Sequence, residues 1–398
     1  MTLPESTPAD DRKTAQVAGE VQRCHAMAHR PDGTVEIGSF AVGRQLLRSN
    51  ATRQAGFRAE EMMRFSTAGI VPILYQEGEP HHRQRAATAR FFAPKVVTTR
   101  YRDLTTGLAE RLIGEFAARG SGDLDAMSLE LAVTVAAEIV GLTQSEPRAM
   151  ARRVDRFFTD SHKSRLQAAI HNGRTRIWLL AFYLQDVRPA IRARRKAPGE
   201  DVISHLIGQG YADHQILTEC ITYAAAGMAT TREFIVVAAW HLLDRPALRD
   251  RFLTAPESGQ IAILEEILRL EPVVGTLYRR MQQDLSVDVD GTPTTLRAGT
   301  KVAGNIRSTN TDSAVVGECP FTLNPDRDFA TGKAGGEALS FGDGAHRCPG
   351  APLAMLESAI FLDRLLRVPG IRLQRPPAIG WGPTVAGYEL RGATLTID

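Results

Sequence analysis

LSFGDGAHRCPGAPLAMLE, residues 339–357, is the most informative stretch of the sequence. It places Cys348 between glycines and directly ahead of a helix-forming segment, so backbone N–H groups and a helix N-terminus can stabilise a thiolate. Gly342, Gly344 and Gly350 can adopt backbone conformations that other residues resist, which lets the chain pass close to a flat ligand. The alternative interpretation is a buried cysteine in a glycine-rich turn.

The composition is typical of a globular protein with a substantial core. The chain has 398 residues, 43% of them hydrophobic, and its 48 Lys and Arg residues nearly balance 45 Asp and Glu residues. This balance argues against an extended nucleic-acid surface or a polybasic membrane anchor. The polar start, MTLPESTPADDRKTAQ, lacks the apolar core of a signal peptide, and no uncharged apolar run reaches membrane-spanning length. We therefore expect a cytoplasmic protein that binds neither membranes nor nucleic acid.

The four cysteines do not form a recognisable set. Cys24, Cys220, Cys319 and Cys348 are scattered without a C-x-x-C pair. This spacing fits a reducing compartment and neither a disulfide framework nor a zinc site.

Hydrophobic periodicity predicts a mostly helical protein. Residues 34–39 alternate like a short strand, and a helical pattern follows them. Helical spacing dominates residues 100–270, whereas residues 284–304 show the alternation and the Gly and Pro punctuation of short strands and turns. Residues 318–347 form a long irregular segment, which in a compact domain usually serves a site.

FGDGAHRCPG, residues 341–350, resembles the F-x-x-G-x-x-x-C-x-G haem-binding loop of the cytochrome P450 family, with Phe341, Gly344, Cys348 and Gly350 in register. The resemblance implies haem b as the cofactor and Cys348 as the ligand of its iron. A thiolate ligand pushes electron density onto iron and favours O–O cleavage. The resemblance also implies a mostly α fold with small β-sheets (α+β), in which the haem lies between a long distal helix and the cysteine loop.

Further motifs of the family occur in order along almost the whole chain. We expect a mobile N-terminus over residues 1–15 and a single large domain over residues 16–398. The chain ends about fifty residues after Cys348, which leaves no room for a flavin or iron–sulfur domain, so electrons should come from a separate ferredoxin and ferredoxin reductase. The basic residues suited to contact an acidic ferredoxin are Arg85, Arg90, Lys95 and Arg347.

Glu266 and Arg269 lie three residues apart on one predicted helical face, close enough to pair. Alone, such a pair would indicate a solvated surface bridge. The two residues resemble the family's E-x-x-R helix, and Arg327 in NPDRDF matches the arginine that completes a buried triad behind the haem loop. The resemblance implies a structural role for all three.

The resemblance also implies partners for the two haem propionates, and an Arg fork suits a carboxylate well. His81 and Arg85 fit the family's H-x-x-x-R pattern, although His82 makes the register ambiguous. The matching positions are His81, Arg85, Arg279 and His346, and Arg280 is the less favoured neighbour of Arg279. Any one of them alone would be interpreted as a solvated charge.

AGMATT, residues 226–231, resembles the family's oxygen-binding helix, whose usual text is A-G-x-(Asp or Glu)-T-(Thr or Ser). Ala226 and Gly227 are small and leave space above the porphyrin. Thr230, followed by Thr231, can hydrogen-bond dioxygen or the water that protonates it.

Ala229 stands where the family normally keeps an acid that relays protons, and its side chain can neither donate nor accept one. One interpretation is a harmless substitution, with water, Thr230 or a substrate group delivering protons. The other is oxidation by hydrogen-atom or electron abstraction, followed by coupling or ring closure. Glu233, four residues later, is expected to be structural.

These features predict an oxidoreductase that uses dioxygen and externally supplied electrons to oxidise a small organic molecule, a specialised metabolite. The alternatives are oxidative coupling or cyclisation without oxygen insertion, and a non-catalytic haem-binding protein. The resemblance implies a substrate pocket whose apolar character suits a mid-sized organic molecule, although core packing would explain each residue equally well. The candidate pocket residues are Leu74, Met228, Ala229, Val274, Leu277 and Val385.

Overall fold

The computed structural model describes residues 10–15, 25–57, 59, 71–158, 176–329 and 335–398. Helices account for most of the regular structure in these residues, as the hydrophobic periodicity predicts. The α-helices are Phe40–Arg48, Gly78–Ala89, Pro94–Val96, Arg102–Arg119, Leu124–Val140, Pro147–Phe158, Arg188–Lys196, Val202–Gly208, Asp213–Tyr223, Thr230–Asp244, Pro246–Thr254, Glu257–Leu270, Ile306–Thr309, Ser313–Val316 and Ala351–Leu366. The described residues also contain π-helical segments at Val97–Tyr101, Tyr183–Val187 and Ala224–Ala229. Short 3₁₀ turns lie at Ile73–Tyr75, Arg90–Phe92 and Gly344–His346.

Two helices frame the interior of the molecule. The distal helix runs through Asp213–Tyr223, the π-helical segment Ala224–Ala229 and Thr230–Asp244. The cysteine helix, Ala351–Leu366, begins directly after the cysteine loop. Both pack in the main hydrophobic core, with the helix Leu124–Val140 against the distal helix. That third helix is buried along most of its length and ends at Gly141, whose φ of 96° requires a residue without Cβ.

The strands form small sheets, as predicted. They are β1 Met27–His29, β2 Val35–Ile37, β3 Thr52–Gln54, β4 Ser121–Asp123, β5 Thr276–Met281, β6 Leu285–Val289, β7 Thr292–Leu296, β8 Lys301–Asn305, β9 Ile371–Arg375, β10 Ala378–Gly382, β11 Gly387–Arg391 and β12 Thr394–Ile397. The largest sheet has the order β1-β2-β8-β5-β3, and only its β2 and β8 pair in parallel. A second sheet has the order β4-β12-β9, and β6-β7 and β10-β11 are two-stranded.

The strands predicted within residues 284–304 are confirmed as β6, β7 and the start of β8. Asp290 and Gly291 connect β6 to β7 with φ values of 50° and 81°, the positive angles of a tight hairpin turn. The strand and helix predicted from residue 34 onward are confirmed as β2 and Phe40–Arg48.

Residues 10–15 lie against the body of the protein. The Asp11 carboxylate accepts a hydrogen bond from the Leu323 N–H at 2.8 Å, and Thr14 is buried beside Glu271. The mobile N-terminus expected over residues 1–15 stays a prediction, since residues 1–9 lie outside the described residues, and so do the domain bounds at residues 16 and 398. Within the described part of the chain, no helix is both long enough and apolar enough to cross a membrane.

Candidate active site

A cavity of about 270 Å³ separates the distal helix from the cysteine loop. Ala226, Gly227, Thr230 and Thr231 line it on the distal side, and Cys348 lies in its opposite wall. The predicted residues that line the cavity are Leu74, His81, Arg85, Ala226, Gly227, Thr230, Thr231, Val274, Leu277, Arg279, Phe341, His346, Cys348 and Gly350. Residues more than 200 positions apart in the sequence therefore share one site.

The loop that carries Cys348 is closed by backbone hydrogen bonds. The Cys348 N–H donates to the Phe341 carbonyl at 2.9 Å, which brings the aromatic ring and the sulfur to the same cavity wall. Gly344 does not line the cavity. It has a φ of 68°, and a Cβ there would lie 2.6 Å from the Leu47 carbonyl oxygen, so this motif glycine permits close packing on the helix Phe40–Arg48.

The surroundings of the Cys348 sulfur both oppose and support a thiolate. Burial raises the pKa of the thiol, whereas the N–H groups of Gly350 and Ala351 and the guanidinium groups of Arg85 and Arg347 lower it in part. The Gly350 and Ala351 N–H groups lie at the N-terminus of the cysteine helix, where partial positive charge favours an anion. A cation bonded to the sulfur would complete the stabilisation.

One end of the cavity is rich in cationic and imidazole side chains. The rings of His81 and His346 stack with centroids 4.1 Å apart, and His346 Nε2 lies 3.0 Å from a Glu77 carboxylate oxygen. Arg279 is almost completely buried, and its nearest acid is Glu77, 3.9 Å away. Arg85 donates to the Arg347 carbonyl oxygen across the same wall.

Two buried nitrogen atoms at this end have no hydrogen-bond partner in the described part of the protein: Arg279 Nε and His81 Nδ1. Burial lowers the pKa of both groups, that of His81 to about 4, because the charged forms are poorly solvated. Buried donors without acceptors are costly, and the carboxylates of a haem would satisfy them. The residues present thus fit a flat dianionic cofactor with Cys348 facing its centre.

The neighbours of these residues do not contribute to the cavity. His82 is exposed, and Arg280 donates to the Gly299 carbonyl at 2.9 Å instead of facing the site. The geometry therefore favours His81 and Arg279 within each pair.

The distal helix changes register beside the cavity. Its Ala224–Ala229 segment is π-helical, and the Thr230 hydroxyl donates to the Ala226 carbonyl at 2.6 Å. Met228 packs in the core and does not line the cavity, and Ala229 and Val385 face a separate small pocket. The structure does not bring these three predicted residues to the large cavity.

Thr231 reaches an acid that the sequence motifs do not indicate. Glu357, on the cysteine helix, lines the cavity and is a hydrogen-bond partner of the Thr231 side chain. Burial raises the pKa of Glu357 to about 8, and the Thr231 hydrogen bond offsets only part of this effect. Its Oε2 is buried without a partner in the described residues. An acid inside the apolar run LAMLESAIF was the only signal available in the sequence.

Glu233 is structural, as expected. Its carboxylate accepts from the Leu390 N–H at 2.7 Å and pairs with Arg391 at 2.6 Å and with Arg232. It lies outside the large cavity.

The predicted triad behind the loop is present and buried. Arg269 makes two hydrogen bonds to Glu266, at 2.7 and 2.8 Å, and Arg327 lies 3.3 Å from the same carboxylate. Arg269 also donates to the Asn310 and Pro320 carbonyls at 2.9 Å. The triad therefore joins the helix Glu257–Leu270 to the irregular segment that leads to the cysteine loop.

Comparisons with known proteins agree with this site. The Cytochrome P450 family model matches residues 261–368. The chain is 30% identical over 295 residues to the cyclomarin C epoxidase CymV of Salinispora arenicola, covering 72% of this chain and 70% of the relative. It is 29% identical over 333 residues to the mycinamicin IV hydroxylase/epoxidase of Micromonospora griseorubida, covering 80% of this chain and 77% of the relative.

The fold also matches solved structures. The cytochrome P450 enzyme CYP109B1 from Bacillus subtilis superposes with a TM-score of 0.76 at 20% identity, covering 94% of this chain and 96% of that one. Fold, family match and relatives agree with the expectation drawn from the cysteine loop. The chain belongs to the cytochrome P450 family and is a haem-dependent enzyme of the monooxygenase type.

Proposed function

We propose that this cytochrome P450 inserts one atom of dioxygen into a mid-sized, mostly apolar specialised metabolite. The relatives described above are named for hydroxylating or epoxidising mycinamicin IV and for epoxidising cyclomarin C. Here, Leu74, Val274 and Leu277 present apolar side chains to the cavity. A cavity with mainly apolar walls and a few convergent polar groups suits such a substrate.

The cofactor in this proposal is haem b, which supplies the iron that activates dioxygen when it is bound. Cys348 Sγ is the ligand of the iron, with Phe341 and Gly350 beside it and Ala226 and Gly227 leaving room on the opposite side. The partners of the propionates are Arg279, His81, His346 and Arg85.

The contact between Thr231 and Glu357 carries the proposal of oxygen insertion. When one oxygen atom enters the substrate and the other leaves as water, the reaction consumes two electrons and two protons. With a pKa of about 8, the Glu357 carboxyl is protonated at neutral pH. Its proton can move to Thr231 Oγ1 while the threonine hydroxyl releases its own proton into the cavity, and water reprotonates the carboxylate. This route needs no acid at residue 229.

The second candidate is oxidative coupling or cyclisation without oxygen insertion, and Ala229 is the observation that favours it. The two reactions differ in product mass, because insertion adds one oxygen atom whereas coupling removes hydrogens. The test is turnover under isotopically labelled dioxygen with a ferredoxin and its reductase, followed by mass spectrometry. We expect one labelled atom per product molecule. Products that have lost hydrogens and carry no label would overturn the proposal.

Spectroscopy tests the ligand of the iron separately. The reduced enzyme treated with carbon monoxide should show the absorption spectrum of a thiolate-ligated haem. Replacement of Cys348 by serine should abolish this spectrum. A folded wild-type protein with haem bound and no such signature would contradict the assignment of Cys348.

We also propose that an acidic ferredoxin docks on the cysteine-loop face. Arg90, Lys95 and Arg347 are exposed there, although Arg347 already contacts Glu337 at 2.8 Å. Arg85 is turned toward the cavity and hydrogen-bonded to the loop, so we omit it from the docking surface. Steering by this surface should weaken as salt concentration rises.

A further inference from the structure

Glu219 is a buried acid that neither the cysteine motif nor the distal motif explains. It lies on the distal helix, with 2% of its surface exposed. No ion pair of the described residues includes it, although an isolated carboxylate is costly to bury. An apolar side chain at this position would avoid that cost, so the carboxyl must make an interaction that an apolar side chain cannot make.

The contact that Glu219 makes crosses from the distal helix to the opposite cavity wall. Its Oε1 accepts a hydrogen bond from the Ile73 N–H at 2.9 Å, over 146 residues of sequence separation. Ile73 is the first residue of the 3₁₀ turn Ile73–Tyr75, so this N–H has no partner inside the turn. Oε2 of Glu219 is buried and has no partner in the described residues.

The 3₁₀ turn forms part of the cavity. Ile73 and Leu74 line it from one side, and Thr222 and Tyr223 line it from the distal helix, one turn beyond Glu219. Two further side-chain bonds involve this segment: Tyr75 Oη donates to the Phe57 carbonyl and Gln76 Nε2 to the Val71 carbonyl, both at 2.6 Å. Gln76 also contacts Tyr211, just before the distal helix.

We propose that Glu219 is a positioning residue that latches the Ile73–Tyr75 turn onto the distal helix and so sets the shape of the substrate cavity. It acts through the Ile73 amide and does not touch the reacting atoms. The proposal rests on the proposed function only in taking this cavity as the substrate site. Opening of the turn would break the hydrogen bond and expose the carboxyl to water.

The latch should respond to pH. Burial raises the pKa of Glu219 to about 7, and the Ile73 hydrogen bond offsets part of the effect. The titratable groups that interact with its charge are Tyr211, Cys220 and Tyr223. Burial raises the pKa of each, so all three stay neutral near pH 7, and a phenol or thiol has no cationic form that could offset a carboxylate. Because the pKa in the latched state exceeds the ordinary 4.5, latching is fully stabilised below that value and weakens as the pH rises through about 7.

Two variants separate the hydrogen bond from the charge. Glu219→Gln keeps an acceptor oxygen and removes the titration, whereas Glu219→Leu removes both. Thr218→Ala is the matched control, because the Thr218 hydroxyl bonds the His214 carbonyl of its own helix. The measurements are amide hydrogen exchange over residues 71–76 in the haem-loaded enzyme, and the rate at which 4-phenylimidazole enters and shifts the haem absorption.

We expect Glu219→Leu to speed exchange in residues 71–76 and entry of 4-phenylimidazole by about tenfold, with no change in Thr218→Ala. After correction for the intrinsic base-catalysed exchange rate, the protection of residues 71–76 in wild type should fall at alkaline pH, whereas protection in Glu219→Gln should not change with pH. Wild-type rates in Glu219→Leu, or the same pH response in Glu219→Gln as in wild type, would overturn the proposal. If the leucine variant does not fold, the comparison of glutamine variant and wild type across pH decides. Neither measurement involves turnover, so the result can be interpreted even if the oxygen-insertion test fails.

Discussion

Thr231 on the distal helix and Glu357 on the cysteine helix are hydrogen-bond partners at the wall of the active-site cavity. The two helices carry opposite sides of the haem site, so this contact places an acid within reach of the distal face without using residue 229. The carboxyl is buried and has no cation partner among the described residues, which keeps it protonated at neutral pH.

Replacement of Glu357 by glutamine should uncouple the enzyme. Gln keeps the size and a hydrogen-bond partner for Thr231 but cannot deliver a proton, so product per electron consumed should fall about tenfold or more, with hydrogen peroxide taking its place. The wild-type yield should also fall as the pH rises through about 8, where Glu357 loses its proton, and the variant should show no such decline. Unchanged coupling in the variant would exclude Glu357 as a proton donor. Glu233→Gln is the control, because Glu233 lies outside the cavity.

Ala229→Asp tests whether the missing distal acid limits the reaction. Ala229 faces a small pocket that Arg232 and Arg391 also line, so an aspartate there would meet cations and not the large cavity. We expect product identity to stay the same and coupling to change less than about twofold in the wild-type background. A large gain in coupling, or a switch from a dehydrogenated to an oxygenated product, would show instead that proton delivery through Glu357 is insufficient.

Arg279→Met should weaken haem binding without destabilising the haem-free protein. Arg279 is buried with an unpartnered Nε, so removing its charge should leave the stability of the haem-free protein unchanged or raise it by about 1 kcal/mol. The haem-loaded protein should lose haem about tenfold faster, because a propionate loses its cationic partner. Thermal melts of both forms, and transfer of haem to an acceptor protein, measure the two effects. Equal destabilisation of both forms would contradict a role in binding the cofactor.

Glu266→Ala should cost about 3–5 kcal/mol of unfolding free energy, because it leaves Arg269 fully buried without its carboxylate. The matched control is Glu257→Ala on the same helix. Glu257 pairs with Arg102 through two bonds of 2.7 and 2.8 Å at the surface, and its loss should cost about 1 kcal/mol or less. Denaturant unfolding monitored by circular dichroism compares the two. Similar costs would show that the triad is not a buried structural element.

The features that could be predicted from the sequence depend on neighbours in the chain. Glu266 and Arg269 are one helical turn apart, and the Asp290-Gly291 turn needs only its own two residues to adopt positive φ. The sequence pattern predicts Met228, Ala229 and Val385 in the substrate pocket, and this prediction is wrong because the structure places them away from the large cavity. The π-helical segment Ala224–Ala229 is a physical reason for the first two, because its wider turn breaks the regular 3.6-residue spacing from which helix faces are predicted.

The chemistry of the Cys348 loop follows from local sequence, because its glycines, aromatic residue and helix start are contiguous and shape one another. The surroundings of the haem site depend on contacts between distant segments: His346 meets Glu77 across 269 residues, and Glu219 meets Ile73 across 146. Whether an acid inside an apolar helix is a solvated charge, a proton donor or a latch depends on its burial and on the group opposite it. Only the packing of the helices decided those two properties for Glu357 and Glu219.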